Sequence, residues 1–207
     1  CFECGSIVLL KEDGSCATCA STYVTAFNHV ESLEPNENYA CICLLDPHPR
    51  KPHMLAWVQV TPNEDYECIA HALIEGGAEA VRDCVQETER RLQHRYMVRL
   101  MDPNMGASPS GATRELTWQM EFDNVGLHFD LADDSDVGRA RLNDFLKPDP
   151  KFMRPRFRLD VSCDVPIFQM KRYVWEDLKN SDLRDAKQTP LRKNDDFPTL
   201  FKYLMNR

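Results

Sequence analysis

Three apolar segments typical of β-strands follow one another in the first half of the chain and limit what it can fold into. Residues 39–45 form a continuous apolar run, and residues 54–60 and 66–74 are further strand-like runs. Residues 61–65, between the last two, contain Pro and Asn and are typical of a turn. This spacing predicts a three-stranded meander, because strands joined by short turns pair with one another.

After the meander, helical and strand-like patterns alternate. Residues 78–95 carry apolar residues at helical spacing, and residues 96–101 form a fourth strand-like run. Further along we expect helices at residues 113–125, 136–146, 165–177 and 199–205, and short strands at residues 127–131 and 159–161. This order of elements predicts an α/β fold in which a mixed sheet is flanked by helices.

The composition bounds the class of protein. With 207 residues, of which 43% are hydrophobic and 28% charged, the chain fits a soluble globular domain, alone or with a small module. Its longest apolar runs, residues 7–10 and 42–45, are too short to cross a bilayer, so we expect no membrane contact. The net charge of −8 argues against nucleic-acid binding over a wholly basic surface, but it is compatible with a metal-dependent nuclease, which needs clustered carboxylates.

Carboxylates stand where two of the predicted strands end. Asp46 follows the first strand-like run and Asp102 follows the fourth, each directly before a proline. If these two strands are parallel neighbours, both carboxylates lie at the same edge of the sheet. Asp195 and Asp196 precede the terminal helix, where the helix dipole favours negative charge. Together these groups would suit Mg²⁺ or Mn²⁺, and two such ions can promote phosphodiester cleavage.

These carboxylates also have an ordinary structural explanation. An aspartate that ends a strand before proline is common in turns. An Asp-Asp pair before a helix is a common N-terminal cap. The spacing therefore leaves both a catalytic and a structural interpretation open.

Local basic patches are the candidate contacts to the DNA backbone. The stretch from residue 147 to 158 is rich in Lys and Arg, two basic residues follow Asp46, and two precede the terminal Asp pair. The alternative is a charged surface that only aids solubility. The candidate DNA-binding residues are Arg50, Lys51, Lys151, Arg154, Arg156, Arg192 and Lys193.

Four of the nine cysteines form two Cys-x-x-Cys pairs separated by eleven residues: Cys1 with Cys4, and Cys16 with Cys19. This spacing predicts a structural zinc site with four thiolate ligands, in a zinc ribbon over residues 1–30. The alternative is two disulfides or free thiols. The other five cysteines are scattered in apolar or helical surroundings, and this distribution favours a reducing compartment with free core thiols. The sequence leaves open whether the ribbon packs on the main domain, docks to a protein or touches DNA.

Four segments of the chain together resemble the C-terminal nuclease domain of tailed-phage large terminases. They are residues 45–53 (LDPHPRKPH), 99–104 (RLMDPN), 165–175 (VPIFQMKRYVW) and 194–203 (NDDFPTLFKY). The last is similar to a closing family motif in which an acidic pair opens a helix that ends in Arg-Tyr. The match covers about residues 39–206, in the same order as in the family, so we expect a nuclease domain over residues 39–207.

The resemblance implies an RNase H-like fold and a Mg²⁺- or Mn²⁺-dependent endonuclease that cuts concatemeric viral DNA. It gives Asp46 and Asp102 the metal-ligand roles of the first and second strands. It gives Asp195 the C-terminal role, with Asp196 beside it as helper or alternative. Two positions depart from the family: Thr199 and Lys202 stand where many relatives have Asp and Arg. Many relatives also carry Glu in the place of Asp102.

The partners implied by the resemblance are double-stranded DNA, an upstream packaging ATPase domain, the portal and the small terminase, in the cytoplasm of an infected host cell. No Walker-type Gly-rich loop is present in these 207 residues, so the ATPase is expected outside them. Two alternatives remain. One is another RNase H-like nuclease, of resolvase or repair type, and the other is a non-catalytic module in which the zinc ribbon docks to DNA or protein.

Overall fold

The fold is a seven-stranded sheet with helices on both faces. The structure, a computed structural model, describes residue 3 and residues 11–22, 28–110, 115–173 and 194–207. In spatial order the strands of the sheet are β1, β9, β4, β3, β2, β5 and β6. Their bounds are β1 Val30–Glu31, β2 Ala40–Asp46, β3 His53–Val60, β4 Tyr66–Ile74, β5 Tyr96–Met101, β6 Asp130–Leu131 and β9 Phe157–Asp160. Two further strands, β7 (Pro148–Asp149) and β8 (Arg154–Pro155), pair with each other.

The predicted meander is confirmed. Strand β2 pairs antiparallel with β3, and β3 pairs antiparallel with β4. The remaining pairs, β2 with β5, β5 with β6, β4 with β9 and β9 with β1, are all parallel. The sheet is therefore mixed and mostly parallel, which confirms the predicted α/β class and is consistent with an RNase H-like fold.

Apart from α2, which was not predicted, the helices follow the predicted order, with shifted ends. They are α1 (Ala78–Leu92), α2 (Pro103–Gly106), α3 (Trp118–Asn124), α4 (Val137–Leu146), α5 (Asp164–Arg172) and α6 (Asp196–Leu204). Helix α1 ends three residues before the predicted position because Gln93 takes a left-handed conformation, with φ of 56°. The Gln93 N–H then donates to the Glu89 carbonyl, which closes the last turn.

Each face of the sheet is covered by its own set of helices. Alternate residues of β2 point to opposite faces, so Leu44 joins the core under α4, α5 and α6, and Leu45 joins the core under α1 and α3. A strand buried on both faces explains why the sequence of β2 is continuously apolar. The predicted free core thiols are found here as well: Cys41, Cys43, Cys68 and Cys163 are buried and form no disulfide.

The basic stretch after α4 has a more regular structure than expected. In place of an irregular Pro-broken segment, β7 and β8 form a short antiparallel pair, and the Arg156 N–H donates to the Phe145 carbonyl. Among the helices of the described residues, none has the length and apolar content needed to span a bilayer.

Candidate active site

Two predicted site residues lie side by side at one edge of the sheet. Strands β2 and β5 are parallel neighbours, with Leu45 in register with Met101. The Asp102 N–H donates to the Leu45 carbonyl at 2.9 Å, which fixes the chain just beyond β5 against the end of β2. Asp46 and Asp102 therefore share the carboxyl edge of the parallel strands, where the sequence predicted them.

Asp102 is held by three hydrogen-bond donors. Its Oδ1 accepts from the backbone N–H groups of Asn104 and Met105, at 2.7 and 2.8 Å, and so caps helix α2. Its Oδ2 accepts from the Tyr203 hydroxyl at 2.7 Å. Burial, together with this bond to Asp102, raises the pKa of Tyr203, so the phenol stays protonated and remains a donor. The ordinary capping role of Asp102 is therefore present, in a buried carboxylate with a fixed orientation at the edge that it shares with Asp46.

Asp46, in contrast to Asp102, has surroundings that disfavour its charged form. Burial and, after it, the neighbouring carboxylates of Asp102 and Asp196 raise the pKa of this carboxyl from 3.8 to about 8, against a smaller lowering by Lys51. Asp195 acts in the same direction with a smaller effect. The ionised form of Asp46 is therefore disfavoured, first by burial and then by the neighbouring carboxylates.

The terminal Asp pair faces this edge from helix α6. Asp195 occupies the N-cap position, and Asp196 is the first residue of the helix. The Asp196 carboxylate accepts from the Gln169 side chain at 3.0 Å and lies 3.6 Å from the Lys51 ammonium. Of the two, Asp196 has the stronger electrostatic effect on Asp46.

The carboxylates are neighbours without forming a closed cage. Within the ranges that the structure describes, no three His, Cys, Asp or Glu side chains are arranged closely enough to hold a metal ion. The arrangement is an acidic edge with one carboxylate of fixed orientation, Asp102, and one carboxyl, Asp46, whose ionised form is disfavoured by burial and by its acidic neighbours. Its donor set of carboxylate oxygens is the type that hard divalent cations prefer.

The loop between β2 and β3 carries two of the predicted basic residues. His48 Nδ1 accepts from the backbone N–H groups of Arg50 and Lys51, at 3.1 and 3.0 Å. The His48 N–H in turn donates to His53 Nδ1, and the His53 ring is buried against Trp118. These bonds shape the loop so that the Lys51 side chain reaches Asp196 while remaining 57% exposed.

Other predicted DNA contacts lie elsewhere. Tyr66, at the start of β4, is in register with Phe157, so the residues before Phe157 lie at the sheet edge opposite to Asp46. There Arg154 and Arg156 both form ion pairs with the buried Asp65, and Lys151 precedes the same segment. These three residues are therefore separated from the acidic edge by the length of β2, about 20 Å for a strand of this size. Arg192 and Lys193 lie outside the described residues.

Two polar residues that contact the acidic edge, Gln169 and Tyr203, were not predicted from the sequence. Gln169 and Tyr203 hold Asp196 and Asp102, and the Lys202 ammonium forms an ion pair with Asp134. Burial raises the pKa of Asp134, but hydrogen bonds from Lys202 and Asn104 outweigh it and leave the pKa below its usual value. Gln169, Tyr203 and Lys202 all lie in the segments that carried the family resemblance, but a sequence does not show which partner a buried amide, phenol or ammonium will meet.

Half of the predicted zinc site lies in the described residues. The sulfur of Cys16 accepts from the Thr18 N–H at 3.4 Å, and the Ala20 N–H donates to the Cys16 carbonyl at 2.9 Å. Ala20 takes the left-handed conformation, with φ of 58°, which a glycine would adopt more easily. Cys16 is buried and Cys19 is exposed, while Cys1 and Cys4 lie outside the described residues.

Comparison with known proteins adds information about the fold. Neither a family model nor a curated protein matches the sequence. Among solved structures, the large terminase of a thermophilic bacteriophage is similar, with a TM-score of 0.63 and 14% identity over 86% of this chain and 42% of that one. The nuclease domain of the P22 large terminase is also similar, with a TM-score of 0.62 and 13% identity over 85% of this chain and 84% of that domain.

The two similar structures differ in how much of their own length this chain covers. This chain spans about two fifths of the large terminase from the thermophilic bacteriophage, but it matches most of the P22 nuclease domain. At identities of 13 and 14%, the likeness concerns the fold. The chain is therefore similar in fold to the nuclease domain of a phage large terminase.

Proposed function

We propose that this chain is the nuclease domain of a viral DNA-packaging terminase, a Mg²⁺- or Mn²⁺-dependent endonuclease that cuts concatemeric DNA by a two-metal mechanism. The observation that carries the proposal is the acidic edge. Asp46 and Asp102 are adjacent there, and Asp102 and Asp196 are both close enough to Asp46 to raise its pKa. The shared fold with the P22 nuclease domain supports it.

The donor set fits the proposed metals. Bound Mg²⁺ or Mn²⁺ supplies the positive charge that activates a water molecule and stabilises the leaving oxygen. Asp102 contributes a carboxylate already oriented by three donors. Asp46 contributes a carboxylate that must give up its proton before it can act as a ligand, and a nearby cation favours that loss.

For the third carboxylate we propose Asp196 in place of Asp195, to which the family resemblance gave the role. The Asp196 side chain is 15% exposed, held by Gln169 and paired with Lys51, and its effect on Asp46 exceeds that of Asp195. Asp195 is then the helper at the N-cap of α6.

Arg50 and Lys51 are the proposed DNA-backbone contacts, because they lie on the loop that leaves the acidic edge and Lys51 is exposed there. Lys151, Arg154 and Arg156 would touch DNA only if it also reached the opposite edge. The proposed setting, which the family resemblance implies, includes an upstream ATPase domain, the portal and the small terminase, in the cytoplasm of an infected cell.

We also propose that Cys1, Cys4, Cys16 and Cys19 bind a structural Zn²⁺. The turn at Cys16–Ala20 supports this, because a backbone N–H directed at sulfur stabilises a thiolate ligand. Metal analysis should find about one zinc ion per native chain and a large loss in Cys16→Ser. Equal zinc content in both proteins would contradict the proposal.

The test of the proposed nuclease is plasmid digestion with Mg²⁺, Mn²⁺ or chelator. We expect metal-dependent cutting by the native chain and a loss of about a thousandfold in Asp46→Asn, which is about 4 kcal/mol of transition-state stabilisation. Asp196→Asn should lose more activity than Asp195→Asn. The matched control is Asp144→Asn, an exposed carboxylate of α4, which should cut like the native chain. Full activity in Asp46→Asn would disprove the mechanism.

A further inference from the structure

We infer that Gln169 is a positioning residue that fixes the Asp196 carboxylate for metal binding, an inference that rests on the proposed function. Gln169 lies on α5 and is 5% exposed. Its Nε2 donates to Asp196 Oδ2 at 3.0 Å, and its Oε1 accepts from the Phe197 N–H at 2.8 Å. One amide thus binds both the side chain of Asp196 and the backbone of the next residue.

In this arrangement the Gln169 amide is both a hydrogen-bond donor and a hydrogen-bond acceptor. The first N–H groups of a helix have no partner within the helix, and the Phe197 N–H, in the first turn of α6, is one of them. Gln169 supplies its acceptor from a neighbouring helix. A hydrophobic side chain could fill the same buried space, but it would leave the Phe197 N–H and Asp196 Oδ2 without these contacts.

The consequence for Asp196 is a defined orientation. With Oδ2 held by Gln169, Oδ1 is the oxygen that pairs with Lys51, at 3.6 Å. Lys51 is largely exposed, so this ion pair is weak and a divalent cation can replace it. Gln169 is buried and bonded at both ends, so it keeps Asp196 in place during that exchange. Partners of this kind typically change metal affinity by about tenfold or more when they are removed.

A purely structural role for Gln169, as a cap of α6, predicts something different. If Gln169 acted only as a cap, its substitution would lower the stability of the fold without changing the intrinsic affinity for metal. The chain offers a matched control in Gln59, which is 1% exposed and donates to Glu67 Oε2 and the Glu34 carbonyl. Gln59 pairs with Cys41, near the start of β2, and so lies toward the edge opposite to Asp46.

The experiment measures Mn²⁺ binding by electron paramagnetic resonance, and plasmid cutting as a function of Mn²⁺ concentration. We expect Gln169→Met to raise the Mn²⁺ concentration for half-saturation by about tenfold, with cutting largely recovered at high Mn²⁺. Gln59→Met should lose comparable thermal stability but bind Mn²⁺ like the native chain. In an Asp196→Asn background, Gln169→Met should cause little further loss of binding, because Gln169 acts through Asp196.

The outcomes separate the two proposals. If the native chain binds Mn²⁺ and cuts DNA but Gln169→Met binds it equally well, Gln169 is only a cap and the inference is overturned. If the native chain neither binds Mn²⁺ nor cuts, the proposed function itself fails. Should Gln169→Met not fold, Gln169→Asn replaces it, since it keeps the amide but shortens its reach, and it should weaken Mn²⁺ binding in the same direction.

Discussion

The two edges of the sheet both carry buried carboxylates, and the protein treats their charges in opposite ways. At the edge where β4 begins, Asp65 is 1% exposed, and the guanidinium groups of Arg154, Arg156 and Arg158 lie within 4.0 Å of it. At the edge where β2 ends, the strongest charged influences on Asp46 are two other carboxylates. One edge is internally neutralised and the other keeps an excess of negative charge.

This difference separates structural from functional acidic residues better than burial does. A carboxylate surrounded by arginines stabilises the fold and has little need of an external cation. A carboxylate surrounded by carboxylates destabilises the ionised protein, and such a cost is typical of a site where function requires the charge. The comparison therefore makes the Asp46 edge, and not the larger ionic cluster around Asp65, the candidate site for metal.

The largest expected stability change comes from the neutralised edge. Asp65→Asn removes the negative charge that lies beside three arginines, and we expect a loss of about 3 kcal/mol in the free energy of unfolding. Urea unfolding at pH 7 measures it. Metal-dependent DNA cutting, measured where the variant is folded, should be unchanged. Retained stability would show that the two edges differ less than their contacts indicate.

The corresponding substitution at the acidic edge, Asp46→Asn, should increase the free energy of unfolding. Asp46 has a pKa of about 8 in the fold against 3.8 ordinarily, so the stability it contributes is complete below pH 3.8 and is lost as the pH rises through about 8. Asn carries no such charge. We therefore expect Asp46→Asn to be more stable than the native chain at pH 8 in buffer without Mg²⁺ or Mn²⁺, by at least the equivalent of one pKa unit, about 1.4 kcal/mol. Urea unfolding from pH 4 to 8 tests this, and the gap should close toward pH 4.

The smallest effect concerns the hydrogen bond that orients Asp102. Tyr203→Phe removes the hydroxyl donor to Asp102 Oδ2 and should cost about 1 kcal/mol of unfolding free energy. The matched control is Tyr66→Phe at the opposite edge, which should change stability less. Thermal unfolding of both variants provides the measurement. An equal effect in the two would mean that the bond to Asp102 adds nothing specific.

Much of the fold could be predicted because it depends on local patterns. Continuous apolar runs interrupted by turn residues define β2, β3 and β4, and their short connections leave few possible pairings. The position of Asp46 and Asp102 followed from the same patterns, since each stands where a strand ends. Helix ends were less predictable, because they depend on local backbone conformations such as the left-handed conformation of Gln93.

The order of the elements, and the two carboxylates at the ends of β2 and β5, can be read from local sequence patterns. The neutralisation of Asp65 by Arg154 and Arg156 at the far edge depends instead on the packing of the whole chain, because β9 pairs with β4 across about ninety residues. The same packing brings Gln169 to Asp196. A polar side chain has many possible partners of equal chemistry, and only packing brings one of them within hydrogen-bonding distance.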